Sequence, residues 1–136
     1  MAERRFRVGI VGLQSGRSWA ARAHVPALRA LADDFEIAGV ATTSRASAEE
    51  AAAAMGLRRA FAGVAELVAS SEVDIVAVTV KVPHHPEIVA AAIEAGKHVY
   101  CEWPLGNGLA EVETMAALAK ANGVLGVVGT QARVAP

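Results

Sequence analysis

Short apolar runs alternate along the chain with longer segments in which alanine and charged residues share a helical spacing. The first run, Phe6–Val11, is followed at once by Gly12, a small polar loop (Gln14, Ser15, Gly16) and an alanine-rich stretch. A run apolar at both alternating sets of positions predicts a strand buried on both faces, as parallel sheets require. A helix is predicted to start near Ser15 or Ser18, either of which suits its cap. Pro26 interrupts that helix and opens a second helical piece over 26–32. Phe35–Ala41 predicts the second strand, and Ser47 the cap of a helix over 48–55 ended by Gly56. A short third strand is expected over 59–62, and a helical turn or two over 66–70. The strongest strand signal is 73–80, almost continuously apolar and β-branched. A turn at Pro83 and Pro86 leads to a helix over 87–95 stopped by Gly96, then a fifth strand over 98–101. Leu109–Ala121 predicts a helix with apolar positions at Val112, Met115, Ala116, Leu118 and Ala119, and 124–128 a sixth strand.

Six strands alternating with helices predict an α/β fold, a doubly wound parallel sheet of strand order 3-2-1-4-5-6 (the Rossmann arrangement). Ligands in such sheets bind at the carboxyl ends of the strands, where the order reverses between strands 1 and 4. That rule singles out the loops after Val11, Ala41 and Val80, and the end of the fifth strand at Cys101 and Glu102. Strand, glycine turn and helix also open a dinucleotide-binding βαβ unit. There, Gly12 supplies the tight turn, Gly16 lets backbone approach a pyrophosphate, and Ala20 allows close helix–sheet packing. The usual fingerprint is G-x-G-x-x-G, whereas Gly12, Gly16 and Ala20 stand four apart. The loop reads either as that device lengthened by about two residues or as a plain strand-to-helix turn.

Composition narrows the picture. The 136 residues suit one domain, 54% hydrophobic but only 4% aromatic, so its core must be built from Ala, Val, Ile and Leu. A net charge of −1 with interspersed signs gives no argument for nucleic acid or a membrane surface. No apolar run approaches the roughly 18–20 residues of a membrane span. Met1 to Phe6 lead directly into the first strand, so no signal peptide is expected. The single Cys101 excludes an internal disulfide, is expected to be an inert core thiol, and fits a reducing cytoplasm. His24, His84, His85 and His98 do not cluster with other ligands at zinc spacing, and no nucleophile–base constellation is visible.

Residues 95–105, Ala-Gly-Lys-His-Val-Tyr-Cys-Glu-Trp-Pro-Leu, closely resemble the A-G-K-H-V-x-x-E-K-P-L signature of the Gfo/Idh/MocA family of NAD(P)-dependent oxidoreductases. Val8-Gly-Ile-Val-Gly12, His24-Val-Pro-Ala-Leu28 and His85-Pro-Glu-Ile88 resemble further motifs of that family, in its order and spacing. The resemblance implies a two-domain enzyme, with an N-terminal Rossmann domain and a second α/β domain that carries much of the substrate site. Gly129 to Arg133 resemble the junction where that second domain begins. This chain is expected to hold only the first domain. Alone, it is expected to bind nucleotide weakly, turn nothing over, and expose apolar surface through which copies can associate.

The resemblance also implies roles. Glu102 matches a carboxylate beside the nicotinamide ribose, where accepting hydroxyl hydrogen bonds makes physical sense. Trp103 stands where the family has lysine; an indole stacks on nicotinamide or a sugar face but cannot replace an ammonium. The same E-W-x-L variant, with Trp19-Ala20 and Gln131-x-Arg133, resembles the fungal galactose-regulon repressor, a regulator that keeps the dinucleotide site. Lys81 stands where the family usually has proline; it either partly substitutes for the missing ammonium or lies in solvent. Thr42-Thr43-Ser44-Arg45 lacks the acid that holds a ribose 2′-hydroxyl in NAD enzymes. Hydroxyls plus an arginine suit a 2′-phosphate, favouring NADP over NAD. Arg17 is a further candidate for phosphate contact, with solvent as the alternative; Val80 and His85 shape the loop near the nicotinamide, and His24 reads as a buried helix residue.

Overall fold

Apolar runs that cannot face water pair with one another. In the computed structural model, which describes residues 4–135, they form five parallel strands. These are β1 (Phe6–Val11), β2 (Phe35–Ala41), β3 (Ile75–Val78), β4 (His98–Glu102) and β5 (Gly126–Gly129), in the order β2-β1-β3-β4-β5. The helices are α1 (Val25–Ala30), α2 (Arg45–Met55), α3 (Val64–Ala69), α4 (His85–Glu94) and α5 (Leu109–Ala121). Val11 stands opposite Ala41 and Val78, Val78 opposite Cys101, and Cys101 opposite Val128. The next row, at the carboxyl edge, is therefore Gly12, Thr79, Glu102 and Gly129. The chain order reverses between β1 and β3, so the doubly wound α/β class holds.

The predicted third strand is the first correction. Residues 59–62 make only an isolated bridge, Val40 with Ala60, on the outer side of β2. They cross β2 at Gly39, where a Cβ would lie 2.7 Å from the Arg59 carbonyl oxygen and from the Phe61 ring. Phe61 is fully buried there, and the Ala62 N–H already bonds the Glu66 carboxylate that opens α3. The segment is committed at both ends before a ladder can lengthen.

Caps and proline account for the other differences. Ser18, not Ser15, holds the first helical turn, its hydroxyl accepting from the Gln14 and Ala21 amides. Pro26 stands in the first turn of a second helical piece, as expected, but no break in the helical chain precedes it. A π-helical turn over Ala20–His24, closed by the Val25 N–H on the Ala20 carbonyl, runs straight into α1. The widened turn removes the clash that a proline ring makes with the carbonyl four residues back. Ser44, not Ser47, caps α2; Ser44 and Ser47 form a capping box, and the helix starts three residues before the predicted 48.

One face of the sheet packs Val8, Ile10, Val40 and Ala77 beneath Ala20, Val25, Ala51 and Ala52 from α2 and the first helical segment. The other packs Val76, Val78, Val99 and Cys101 beneath Leu67, Ile88, Val89, Ile93 and Met115 from α3, α4 and α5. On the first face no helix among the described residues covers the β3–β5 half. That leaves an apolar groove of about 480 Å³ bordered by Trp19, Leu31, Tyr100, Leu125 and Val127. At the amino edge Asp74 accepts from the Arg7 amide (2.9 Å), Nε (3.0 Å) and Nη2 (3.0 Å), and from Arg4. Among the described residues no helix is long and apolar enough to cross a membrane.

Candidate functional site

The turn after β1 is locked from both sides. Gly12 has φ +91°, and a Cβ there would lie 2.7 Å from Val80 Cγ1 and 3.2 Å from the Thr79 carbonyl. Its amide donates to the Ala41 carbonyl at 2.9 Å. The Thr79 hydroxyl donates toward the Val11 (2.9 Å) and Gly12 (2.5 Å) carbonyls. Beyond it Gln14, Ser15, Gly16 and Arg17 are exposed, in a turn closed by the Ser18 amide on the Gln14 carbonyl at 3.1 Å. Gly16 has φ +71°, with nothing within 4 Å of the position a Cβ would take. Backbone is thus bare to an incoming group, the property a phosphate-binding turn needs. Ala20 is fully buried against the sheet.

At the end of β2 the hydroxyls are mostly spent on one another. Thr42 Oγ1 lies 2.5 Å from Ser47 Oγ, and Ser44 caps α2. Thr43 is exposed. Arg45 is half exposed and pairs with Glu66 at 3.2 Å. The Ala62 amide, helped by Arg45 and Arg59, holds the Glu66 carboxyl below the usual carboxylate range. Water screens an exposed pair of this kind, so Arg45 is recruitable by a stronger anion.

After β3 Val80 packs on Gly12, and Lys81 lies exposed at the start of a 3₁₀ turn over Val82–His84. His85 is only 1% exposed. Its Nε2–H donates to the Val80 carbonyl at 2.9 Å, and Nδ1 lies 3.1 Å from the Leu105 carbonyl and 3.3 Å from Cys101 Sγ. Burial, reinforced by the Glu102 charge, pushes the Cys101 thiol up to about 12, so the sulfur stays protonated. His85 therefore ties the loop after β3 to the loop after β4 from below, and bears on a ligand only through the backbone it holds.

At the end of β4, Trp103 is 66% exposed and its bond to Pro104 is cis. Glu102 is nearly buried and bonded through Oε1 to His24 Nε2. The His24 ring meets Tyr100 edge-on, with centroids 5.3 Å apart. Burial and then Glu102 raise the Tyr100 phenol above its ordinary value. The pairing of His24 with Glu102 is absent from the sequence reading. Its one sequence signal is that His24 and Glu102 both fall inside motifs of the same resemblance.

The fold thus gathers Gly12, Val80 and Glu102 along one edge and sets Thr43–Arg45 at its β2 end. Three strand spacings of about 4.8 Å separate β2 from β4, roughly 14 Å. An extended ligand with a phosphate bridge is the kind that reaches from one to the other. Among the described residues no three His, Cys, Asp or Glu side chains group as a metal site would need.

Comparisons with known proteins agree with this geometry. The chain is 41% identical over 138 residues to dehydrogenase aclE of Aspergillus oryzae, covering 98% of this chain and 38% of that protein. It is 36% identical over 93 residues to scyllo-inositol 2-dehydrogenase (NADP⁺) IolU of Bacillus subtilis, covering 68% of this chain and 28% of that one. Its fold matches the crystal structure of a super-repressor mutant of Gal80p from Saccharomyces cerevisiae with a TM-score of 0.89. That match is at 26% identity and covers 98% of this chain and 36% of that one. The chain thus spans about a third of the length of these proteins. A family model described as oxidoreductase family, NAD-binding Rossmann fold, matches residues 6–130, and the chain belongs to that Gfo/Idh/MocA family.

Proposed function

We propose that this chain is the dinucleotide-binding domain of a longer oxidoreductase. That enzyme moves hydride between a nicotinamide and a hydroxyl-bearing carbon of a sugar or cyclitol. The observation that carries this reading is the Gly12 turn, locked between the ends of β2 and β3 with bare backbone at Gly16. In it, Gly12, Gln14, Ser15 and Gly16 receive the pyrophosphate, Val80 and His85 set the loop beneath the nicotinamide, and Glu102 accepts hydrogen bonds from the adjoining ribose. Thr43, Ser44 and Arg45 take the adenosine ribose, with NADP preferred over NAD. A 2′-phosphate offers Arg45 two charges where Glu66 offers one, in a pair weak enough to open. The nicotinamide supplies the hydride acceptor or donor when bound.

Trp103 contributes a stacking surface and Lys81 a cation at the catalytic end, both exposed beside the strand ends. By itself the chain binds dinucleotide weakly and does not turn over. The second domain that would exclude water from the nicotinamide and hold the substrate belongs to the longer protein. A reducing cytoplasm suits its one buried thiol, and the open groove gives copies of the chain a surface through which to associate.

A second reading, a non-catalytic dinucleotide-binding sensor, is favoured by Trp103, since indole carries no titratable proton near neutrality. Likeness to Gal80p points the same way. Calorimetric titration with NADPH and, separately, NADH tests both readings. Tighter binding of NADPH is expected, and binding of neither overturns both. Substrate-dependent NADP reduction by the 136-residue chain alone would overturn the claim that it lacks turnover. In the longer protein, turnover with a polyol selects the enzyme over the sensor.

A further inference from the structure

We propose that His24 is a positioning residue. It fixes the Glu102 carboxylate for the nicotinamide ribose, and the π-helical turn is what aims it there. The inference rests on the dinucleotide reading above. Pro26 has no N–H, and the turn before it takes one extra residue. One extra residue rotates the side chains of that turn by about 100° relative to an uninterrupted α-helix. His24, the last residue of the turn, thereby points across the sheet face to β4. Tyr100 and Glu102, two residues apart on β4, present their side chains to that same face. The Tyr100 ring receives the imidazole edge-on and limits its rotation.

Gly129, opposite Glu102 in the β4–β5 register, completes the frame, because a Cβ there would overlap the Tyr100 phenol. Three elements thus converge on one carboxylate, nearly buried at the wall of the open groove that His24, Tyr100 and Glu102 also line. His24 Nε2 engages Oε1 and leaves Oε2 as an acceptor with a fixed direction. A free glutamate side chain would have to give up its rotamer freedom when ribose binds. Here that loss is taken on folding, so the ribose hydroxyl meets an oriented acceptor.

The test compares wild type, His24→Ala and His24→Gln in calorimetric titrations. One ligand is the dinucleotide that binds more tightly; the other is its adenosine half, adenosine 2′,5′-bisphosphate or ADP, which lacks the nicotinamide ribose. His24→Ala is expected to weaken dinucleotide binding about tenfold, the scale of one hydrogen bond to a charged group, and to leave the adenosine half within twofold. His24→Gln, which keeps an N–H donor at similar reach, is expected to restore most of the loss. Glu102→Gln should weaken the dinucleotide comparably, and combining it with His24→Ala should add little.

Equal weakening of both ligands, or no rescue by glutamine, would reduce His24 to a packing residue and overturn the inference. Unchanged dinucleotide affinity in His24→Ala would do the same while leaving the dinucleotide reading intact. Failure of wild type to bind either ligand would remove both. Should His24→Ala not fold, His24→Phe, which keeps a ring but carries no N–H donor, takes its place: unchanged dinucleotide affinity refutes the inference.

Discussion

Gly12 shows how much one missing atom carries. Its φ of +91° and the closeness of Val80 and Thr79 act together, so Gly12→Ala meets backbone strain and a clash at once. We expect it to cost about 1–3 kcal/mol of stability and to abolish dinucleotide binding, read from thermal unfolding and calorimetry. Gly12 was readable from sequence because a glycine directly after an apolar run has few other reasons to be there. Arg45 was not readable to the same depth. Its residue type pointed to phosphate, but its partner Glu66 lies 21 positions away and meets it only through the path of 59–63 around β2. Cys101 was anticipated as inert, and the cause is now specific. A fully buried thiol held near 12 carries almost no thiolate at pH 8. Iodoacetamide should therefore leave the native chain unmodified and label it on unfolding, as mass spectrometry would record.

At the scale of elements, three boundaries were set by local pattern alone: β1, β2 and α5 occupy the predicted residues. Each is bounded by residues whose preferences agree with the packing around them. The misplaced features are those settled by distant contacts or by competition between neighbours. Ser44 and Ser47 are both good caps, and the reciprocal bonds between them decide which residue starts α2. The third strand lost its ladder to the burial of Phe61 beneath Gly39. At its amino end β3 starts later than its apolar run, where the Asp74 side chain is drawn to Arg7 on β1.

That junction has a pH consequence. Hydrogen bonds from Arg7 bring the Asp74 carboxyl down to about 2 from 3.8. A lowered carboxyl stabilises the fold above its unfolded pKa and loses that contribution as pH falls through its folded value. Stability should therefore drop between about pH 4 and pH 2. Asp74→Asn should remove that part of the acid dependence and cost about 1–3 kcal/mol at pH 7, measurable by denaturant titration at both pH values.

Taken whole, the molecule is unevenly clothed. α1 and α2 cover the β1–β2 half of one face, and α3, α4 and α5 cover the other face, which leaves the groove beside Tyr100 without a helix among the described residues. Alternating strands and helices announced the doubly wound class. The same pattern gave no sign of the bare half-face, because Leu125 and Val127 read like any strand residues until the layer above them is counted. Leu125, Trp19 and Leu31 are each about half exposed or more. The bare half-face leaves a thermal signature. Water ordered over apolar surface holds extra heat capacity, about 0.45 cal/K/mol for each Å². Whatever comes to lie over this face, a second copy or a further stretch of polypeptide, must release that water. Its association enthalpy should then grow more exothermic with each degree of warming between 10 and 35 °C. An enthalpy independent of temperature would mean that the groove stays wet.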